Sequence, residues 1–76
     1  MKTAAQMIRD YREERGITQI HISKVTGITT RRMSRLETGL SRMTADEFLS
    51  IIINGFGITP QIFFDNQASE SESLIN

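Results

Sequence analysis

The chemistry most evident in this chain lies in residues 29–36, TTRRMSRL, where arginine and hydroxyl side chains surround two apolar ones. Met33 and Leu36 are three residues apart, so on a helix they share one side and can face a core. An arginine can donate two hydrogen bonds to the edge of guanine, and a hydroxyl can bond a base or a phosphate. The segment therefore predicts a basic helix suited to the DNA major groove. The outward, base-facing candidates are Thr30, Arg31, Ser34 and Arg35.

The residues just before this segment predict the element that positions it. Thr18 can cap a short first helix, whose apolar stripe would be Ile22 and Val25. Gly27 supplies the turn, because glycine enters positive φ without steric penalty, and Thr29 can cap the second helix. Two short helices joined by a glycine turn, the second one outward and basic, indicate a helix-turn-helix.

The net charge of zero averages two unlike regions. Residues 1–64 hold all nine Lys and Arg against six acids, a net charge of +3, whereas residues 65–76 hold three acids and no base. Five of the bases lie within residues 24–42 beside one acid, Glu37. The alternative interpretation, a solvated face of an ordinary helical hairpin, suits any single arginine but not this clustering combined with the turn signature.

Length and composition exclude several functions. Seventy-six residues predict one domain, and the absence of cysteine excludes a disulfide framework or a thiolate metal site. The single histidine and the acids, which lack metal-ligand spacing, predict that the chain binds no metal and no cofactor. The sequence has no plausible nucleophile–base pair and no phosphate-binding glycine loop, so neither an enzyme nor a small-molecule ligand is expected. No apolar run reaches the roughly 20 residues that span a bilayer, and no signal peptide is evident, so a cytoplasmic protein without a membrane partner is expected.

Capping signals mark the remaining helices. Thr3 with Gln6, and Thr44 with Glu47, each fit a capping box, in which two side chains satisfy each other's backbone donors. A fifth helix should begin at Pro60, where the missing N–H costs nothing, and run to residue 64. Residues 65–76 are polar, acidic and without an apolar stripe, which predicts a disordered tail after a domain of residues 1–64.

A series of motifs extends over most of the chain. It consists of an arginine-rich first helix, the motif G-x-T-Q, a glycine turn with a hydroxyl cap, and the ending E-x-G. The residues that carry it are Arg9, Arg12, Gly16, Thr18, Gln19, Ile22, Ser23, Gly27, Thr29, Met33, Ser34, Glu37, Gly39, Leu49, Ile52, Phe56, Gly57 and Ile58. Residues 3–64 thus resemble the Cro/CI-type (XRE-like) helix-turn-helix family, and are similar to small phage repressors and restriction–modification controller proteins. The resemblance implies an all-α, compact five-helix, lambda-repressor-like DNA-binding domain.

The resemblance also implies roles for single residues. The positions at which the family's recognition helix contacts DNA bases correspond to the four base-facing candidates. The resemblance also implies that Arg12, on the first helix, pairs with Glu37 and that this pair is structural. Gln19 opens the second helix, where its amide and the free backbone N–H groups can bind a phosphate. The predicted contacts to the DNA backbone are Gln19, Thr29, Arg32, Thr38 and Arg42.

Residues 48–64 are richer in large apolar side chains than one small helix pair can hide. Ile51 and Ile53 are roughly 200° apart on a helix, so both cannot face one core. Either the domain closes over all of these side chains, or one apolar face meets a second subunit; the second alternative is favoured because an exposed apolar patch usually marks an interface. The predicted dimer contacts are Ile51, Ile53, Phe63 and Phe64.

Two functions from different classes fit this sequence. The first is a sequence-specific transcriptional regulator that binds double-stranded DNA at an inverted-repeat operator as a homodimer. The alternative is a protein-interaction module of the same fold, such as an antitoxin or anti-repressor, which would use the apolar face and the acidic tail while DNA binding is secondary. The three arginines of residues 29–36 favour the regulator.

Overall fold

The helices begin where the capping signals place them. The computed structural model describes residues 2–75, with side chains from residue 2 to residue 67. The described residues form five α-helices and a π-helical turn and contain no strand, which confirms the all-α prediction. The elements are α1 (Ala4–Glu14), α2 (Gln19–Thr26), α3 (Thr30–Glu37), α4 (Ala45–Ser50), its π-helical continuation (Ile51–Gly55) and α5 (Pro60–Ile75).

Both predicted capping boxes are present. The Thr3 Oγ1 accepts from the Gln6 backbone N–H at 3.2 Å, and the Gln6 Oε1 accepts from the Thr3 N–H at 2.9 Å. Thr44 and Glu47 make the same reciprocal pair at 3.1 and 3.0 Å. These bonds satisfy backbone donors that a helix start leaves free, and so they fix where α1 and α4 begin.

The turn between α2 and α3 also follows the prediction. Thr18 caps α2 by accepting from the backbone N–H of His21 at 3.0 Å, and Thr29 caps α3 by accepting from that of Arg32 at 3.1 Å. Gly27 ends α2 in the left-handed region, with φ at +80°. A residue with a side chain would be strained there, and the left-handed step allows α3 to leave at an angle to α2.

The inward stripe of α2 differs from the predicted one. Ile22 is fully buried, but Val25 is 42% exposed, so its assignment to the core was wrong. Thr26, four residues after Ile22, takes the inward position: its hydroxyl donates to the Ile22 carbonyl at 2.6 Å. A Cβ added to Gly55 would stand 3.6 Å from the Thr26 methyl and 3.0 Å from the Ile22 Cδ1. The glycine therefore permits a close approach of the π-helical turn to α2.

The second half of the chain contains a π-helical turn that includes two buried isoleucines. The N–H of Phe56 donates to the carbonyl of Ile51 at 2.8 Å, an i→i+5 bond that widens the turn by one residue. Ile51 and its neighbour Ile52 are both fully buried, while Ile53 is 50% exposed. The widened turn thus accompanies two consecutive isoleucines in one core.

Two of the four predicted dimer contacts belong to this core, and their assignment to an interface was wrong. Ile51 and Phe63 are both fully buried. The Phe63 ring is 5.4 Å from the Tyr11 ring and 5.9 Å from the Phe48 ring, so aromatic neighbours on α1 and α4 enclose it. The other two predicted contacts, on the π-helical turn and α5, remain exposed. The buried apolar side chains are Ile8, Tyr11, Ile22, Met33, Leu36, Ile51, Ile52 and Phe63.

Helix α5 is longer than predicted. The expected helix ended at residue 64 before a disordered tail, whereas the backbone of α5 is helical to Ile75; Asn76 lies outside the described residues. No glycine or proline follows Pro60, and the Gln61 amide donates to the Asp65 carboxylate at 2.9 Å, an i,i+4 bond that favours continued helix. The domain boundary at residue 64 stays a prediction.

Within residues 2–75, no single helix is both long enough and apolar enough to cross a bilayer. The Ala45–Gly55 segment and Pro60–Gln67 meet the length and composition only when joined, and they are bent by 91° with respect to each other.

Two leucines four residues apart test how far the core stabilises the fold. Leu36 is fully buried under α3, whereas Leu40, in the loop after it, is 71% exposed. We expect Leu36→Ala to lower the free energy of unfolding by about 2–5 kcal/mol, because the substitution removes buried methyl groups and leaves a cavity. The matched Leu40→Ala should change it by less than about 0.5 kcal/mol. Urea denaturation measures both, and equal losses would contradict this core assignment.

Candidate nucleic-acid interface

The C-terminal end of α3 is fixed to the body of the protein by a buried ion pair. The Arg12 Nε and Nη2 donate to the two carboxylate oxygens of Glu37 at 2.8 and 2.9 Å, and Glu37 is only 5% exposed. Arg12 Nη1 donates to the carbonyl of Ile17, and Gln19 Nε2 donates to Glu37 Oε1 at 3.0 Å. Glu37 raises the pKa of Arg12, chiefly through these hydrogen bonds. We call Arg12, Gln19 and Glu37 the anchor; it joins α1, α2 and α3 at one point.

The anchor confirms the predicted pairing of Arg12 with Glu37 and determines which side of α3 is outward. Met33, Leu36 and Glu37 are buried, so the opposite side of the helix faces solvent. The four base-facing candidates are all exposed on that side: Thr30, Arg31, Ser34 and Arg35. We call this set the α3 face.

The two arginines of the α3 face differ in their surroundings. The guanidinium of Arg31 makes no hydrogen bond or ion pair with any side chain that the structure describes. Arg35 Nε donates to the hydroxyl of Ser41 at 3.1 Å, a contact between exposed groups that a stronger acceptor can replace. Both arginines can therefore reach outward, and they lie four residues apart on one side of the helix.

Arg32 is not placed as predicted. Its Nε and Nη2 donate to the two carboxylate oxygens of Glu47 at 2.9 and 3.0 Å, and Nη2 also donates to the carbonyl of Arg42 at 3.2 Å. The Arg32 side chain is 37% exposed, but its guanidinium is held by three internal hydrogen bonds and is therefore poorly available to phosphate. We correct its role from a DNA contact to a tie between α3 and α4. The bond from Arg32, with that from the Thr44 backbone, lowers the pKa of Glu47 to about 2.

Three other predicted backbone contacts also carry internal bonds. The amide of Gln19 is used by the anchor, which leaves one of its two hydrogens for an outside acceptor. The Thr29 hydroxyl caps α3, and the Thr38 hydroxyl donates to the Ser34 carbonyl at 2.8 Å. Arg42 is different: its side chain is exposed and its guanidinium has no partner among the described side chains. It is the predicted phosphate contact whose geometry is the most open.

The tie between Arg32 and Glu47 was missed by sequence reasoning. The two residues are 15 apart in the chain, and the capping box with Thr44 already accounted for the glutamate. The only signal was a pair of opposite charges at positions that face each other after folding, and that juxtaposition cannot be read from local spacing.

The resulting surface is basic and lacks metal-binding geometry. Lys24, Arg31, Arg35 and Arg42 are exposed, while the acids Glu37 and Glu47 are directed inward onto arginines. Among the described residues, no group of three or more His, Asp or Glu side chains is arranged to hold a metal ion. Cationic and hydroxyl donors on an outward helix suit an acceptor-rich, anionic partner.

Two short helices joined by a glycine turn, with the second helix outward and basic, define a helix-turn-helix of the DNA-binding type. A family model described as helix-turn-helix matches residues 8–63. The chain therefore belongs to the Cro/CI-type (XRE-like) helix-turn-helix family of DNA-binding regulatory proteins. Comparisons with curated proteins and with solved structures gave no match.

The tie to α4 makes a prediction about acid stability. Glu47→Gln should keep the capping box, since a glutamine oxygen can also accept from the Thr44 N–H, but it removes the charge that Arg32 binds. Because the pKa of Glu47 is about 2 in the folded protein, below the ordinary 4.5, its stabilisation is complete above pH 4.5. We expect wild type to unfold at higher urea than the variant at neutral pH, and the difference to shrink as pH falls from 4.5 towards 2.

An Arg32→Gln background provides the control. Without the guanidinium, which is the largest cause of the lowered pKa, Glu47→Gln should give a much smaller pH-dependent difference. A difference that is independent of pH in the wild-type background would contradict the proposed charge pairing.

Proposed function

We propose that the chain is a sequence-specific transcriptional regulator that recognises an operator through the major groove as a homodimer. The observation that carries this proposal is the α3 face, on which arginine and hydroxyl donors point outward while the anchor holds the helix behind them. A helix held from behind in this way presents the Arg31 guanidinium to base edges without the loss of an internal bond, and that of Arg35 with the loss of one exposed bond.

Arg31 and Arg35 are the proposed base readers. Each can donate to both acceptors on the major-groove edge of guanine. The hydroxyl groups of Thr30 and Ser34 can each bind a base or a phosphate. To bind guanine, Arg35 must break its hydrogen bond to the hydroxyl of Ser41. That bond is exposed to solvent and its acceptor is uncharged. Guanine, which offers two acceptors, is a better partner.

The proposed backbone contacts surround this face. Arg42 is the leading one because its guanidinium is exposed and free, and the remaining amide hydrogen of Gln19 is a second. Thr29 and Thr38 are exposed beside the two ends of α3, where their hydroxyls can reach a phosphate. Such contacts set the orientation of the protein on DNA but carry no sequence information.

Dimerisation is proposed through an α4–α5 surface, made of Leu49, Ile53, Ile62 and Phe64. These side chains are 41–52% exposed, and several large apolar residues exposed on consecutive elements favour an interface. Next to them lies a shallow apolar groove of about 290 Å³, to which Phe64 contributes. The groove residues are Ala4, Met7, Met43, Thr44, Ala45, Phe48 and Phe64. A two-fold dimer through this surface would present two α3 faces to the two halves of an inverted repeat.

The alternative function, a protein-interaction module of the antitoxin or anti-repressor kind, would also use the α4–α5 surface. It leaves the outward arginines without a role, because Arg31 and Arg35 belong to α3, whereas the α4–α5 surface belongs to α4, its π-helical continuation and α5. The exposed cations on the α3 face therefore favour the regulator.

Substitutions on the two sets of arginines test the division between base and backbone contacts. We expect Arg31→Ala and Arg35→Ala each to weaken binding to a selected operator by about 1–3 kcal/mol and to affect random duplexes much less. Arg42→Ala, which removes the same charge from the loop, should weaken both kinds of DNA similarly. Fluorescence anisotropy at fixed salt measures the six variant affinities and the two wild-type affinities to which they are compared. Equal losses on operator and random DNA for the α3 variants would refute the base-reading assignment.

The dimer is tested by charge insertion at two exposed isoleucines. Ile53 belongs to the α4–α5 surface, and Ile53→Asp is the test variant. Ile20, which is 61% exposed on α2, provides the matched control Ile20→Asp. We expect Ile53→Asp to give folded monomers that bind a half-site poorly, because a charge buried between subunits is costly. Ile20→Asp should sediment like wild type. A wild-type protein that sediments as a monomer at high concentration without DNA would count against the dimer.

A further inference from the structure

The loop between α3 and α4 is held to α3 at its beginning. Gly39 adopts φ of +79°, which turns the chain back after α3. The next two backbone N–H groups, of Leu40 and Ser41, both donate to the carbonyl of Arg35, at 2.9 and 3.2 Å. The first half of the loop thus follows the C-terminal end of α3.

The second half of the loop is held by a chain of hydrogen bonds that begins in α4. Glu47 Oε1 accepts from the backbone N–H of Thr44 at 3.0 Å and from Arg32 Nη2 at 3.0 Å, while its Oε2 accepts from Arg32 Nε at 2.9 Å. Arg32 Nη2 donates in addition to the carbonyl of Arg42 at 3.2 Å. One guanidinium therefore fixes the peptide of Arg42 against both α3 and α4.

We propose that Glu47 and Arg32 form a brace that positions Arg42 for contact with a DNA phosphate, so that Glu47 is a positioning residue for DNA binding although it need not touch DNA. This inference rests on the proposed function. The Arg42 side chain is exposed and unpaired among the described side chains, but its backbone is fixed by the brace. A contact made from a fixed backbone loses less conformational entropy on binding than one made from a loose loop.

A second interpretation of the same bonds makes the opposite prediction. If Glu47 acts as a competitor that neutralises Arg32, its removal frees a cation for phosphate and strengthens binding. If Glu47 is only structural, its removal weakens binding by the same factor whether or not Arg42 is present. The brace, the competitor and the general structural role therefore give three different results.

The test is a double-mutant cycle of Glu47→Gln and Arg42→Ala, with affinities for a selected operator measured over a range of salt concentrations. Glutamine can keep the capping box of α4, so the variant removes the charge pairing selectively. The brace predicts that Glu47→Gln weakens binding about fivefold when Arg42 is present and less than about twofold in the Arg42→Ala background, since coupled residues are non-additive. It also predicts that Glu47→Gln, like Arg42→Ala, lowers the salt slope by up to about one phosphate contact.

Two further variants keep the result interpretable. Asp46→Asn removes a charge from the same exposed turn of α4 without touching Arg32, and it should not lower the affinity. Arg32→Lys keeps the charge, but a single ammonium cannot reproduce the guanidinium fork, so it should give the same Arg42-dependent loss as Glu47→Gln. Circular dichroism and urea denaturation confirm that each variant is folded at the temperature used.

Stronger binding by Glu47→Gln would overturn the brace in favour of competition. An equal loss with and without Arg42 would overturn it in favour of a general structural role. A wild-type chain that selects no operator from random duplexes and binds none of them would instead refute the proposed function, and that outcome is visible before any variant is compared.

Discussion

The structure depends on one buried carboxylate, that of Glu37 at the end of α3. A buried charge is strongly unfavourable unless it is paired and hydrogen-bonded, and this one accepts from two N–H groups of Arg12 and one of Gln19. Because these donors come from α1 and from the first residue of α2, the three helices cannot change their relative orientation without leaving the charge unpaired. Met33 and Leu36 fix the same side of α3 by apolar burial. The direction of the α3 face follows from these two constraints together.

The pairing of charges also determines what is left for a partner. Two arginines, Arg12 and Arg32, are used internally by Glu37 and Glu47. The neighbouring cations Arg31 and Arg42 remain exposed and unpaired among the described side chains. A chain of zero net charge can in this way present a locally positive surface, because its acids are withdrawn inward or placed elsewhere along the sequence. Screening by salt acts on exposed charges much more than on the buried pair, so salt should weaken DNA binding without loosening the scaffold.

Local signals made most of the fold predictable, whereas contacts between distant residues were not. The helix starts at Thr3, Thr18, Thr29 and Thr44 could be predicted because a capping side chain binds a backbone group only three residues away. The turn at Gly27 could be predicted because glycine is the residue that adopts positive φ without strain. The inward position of Val25 was wrong because a short helix allows both i+3 and i+4 stripes, and packing against the π-helical turn selected the second. Ile51 lies in the π-helical turn, and the residue spacing in the sequence did not predict that turn. The tie of Arg32 to Glu47 likewise forms only after α3 and α4 have packed.

We propose that α3 enters the major groove with its arginines on base edges, and dimethyl sulfate footprinting tests this most directly. This reagent methylates guanine at N7, which lies in the major groove, and adenine at N3, which lies in the minor groove. On an operator selected from random duplexes, we expect bound wild-type protein to protect guanine N7 in each half-site. Arg31→Ala and Arg35→Ala should each restore methylation at a different guanine. Protection confined to adenine N3, or no protection at an occupied operator, would contradict the account.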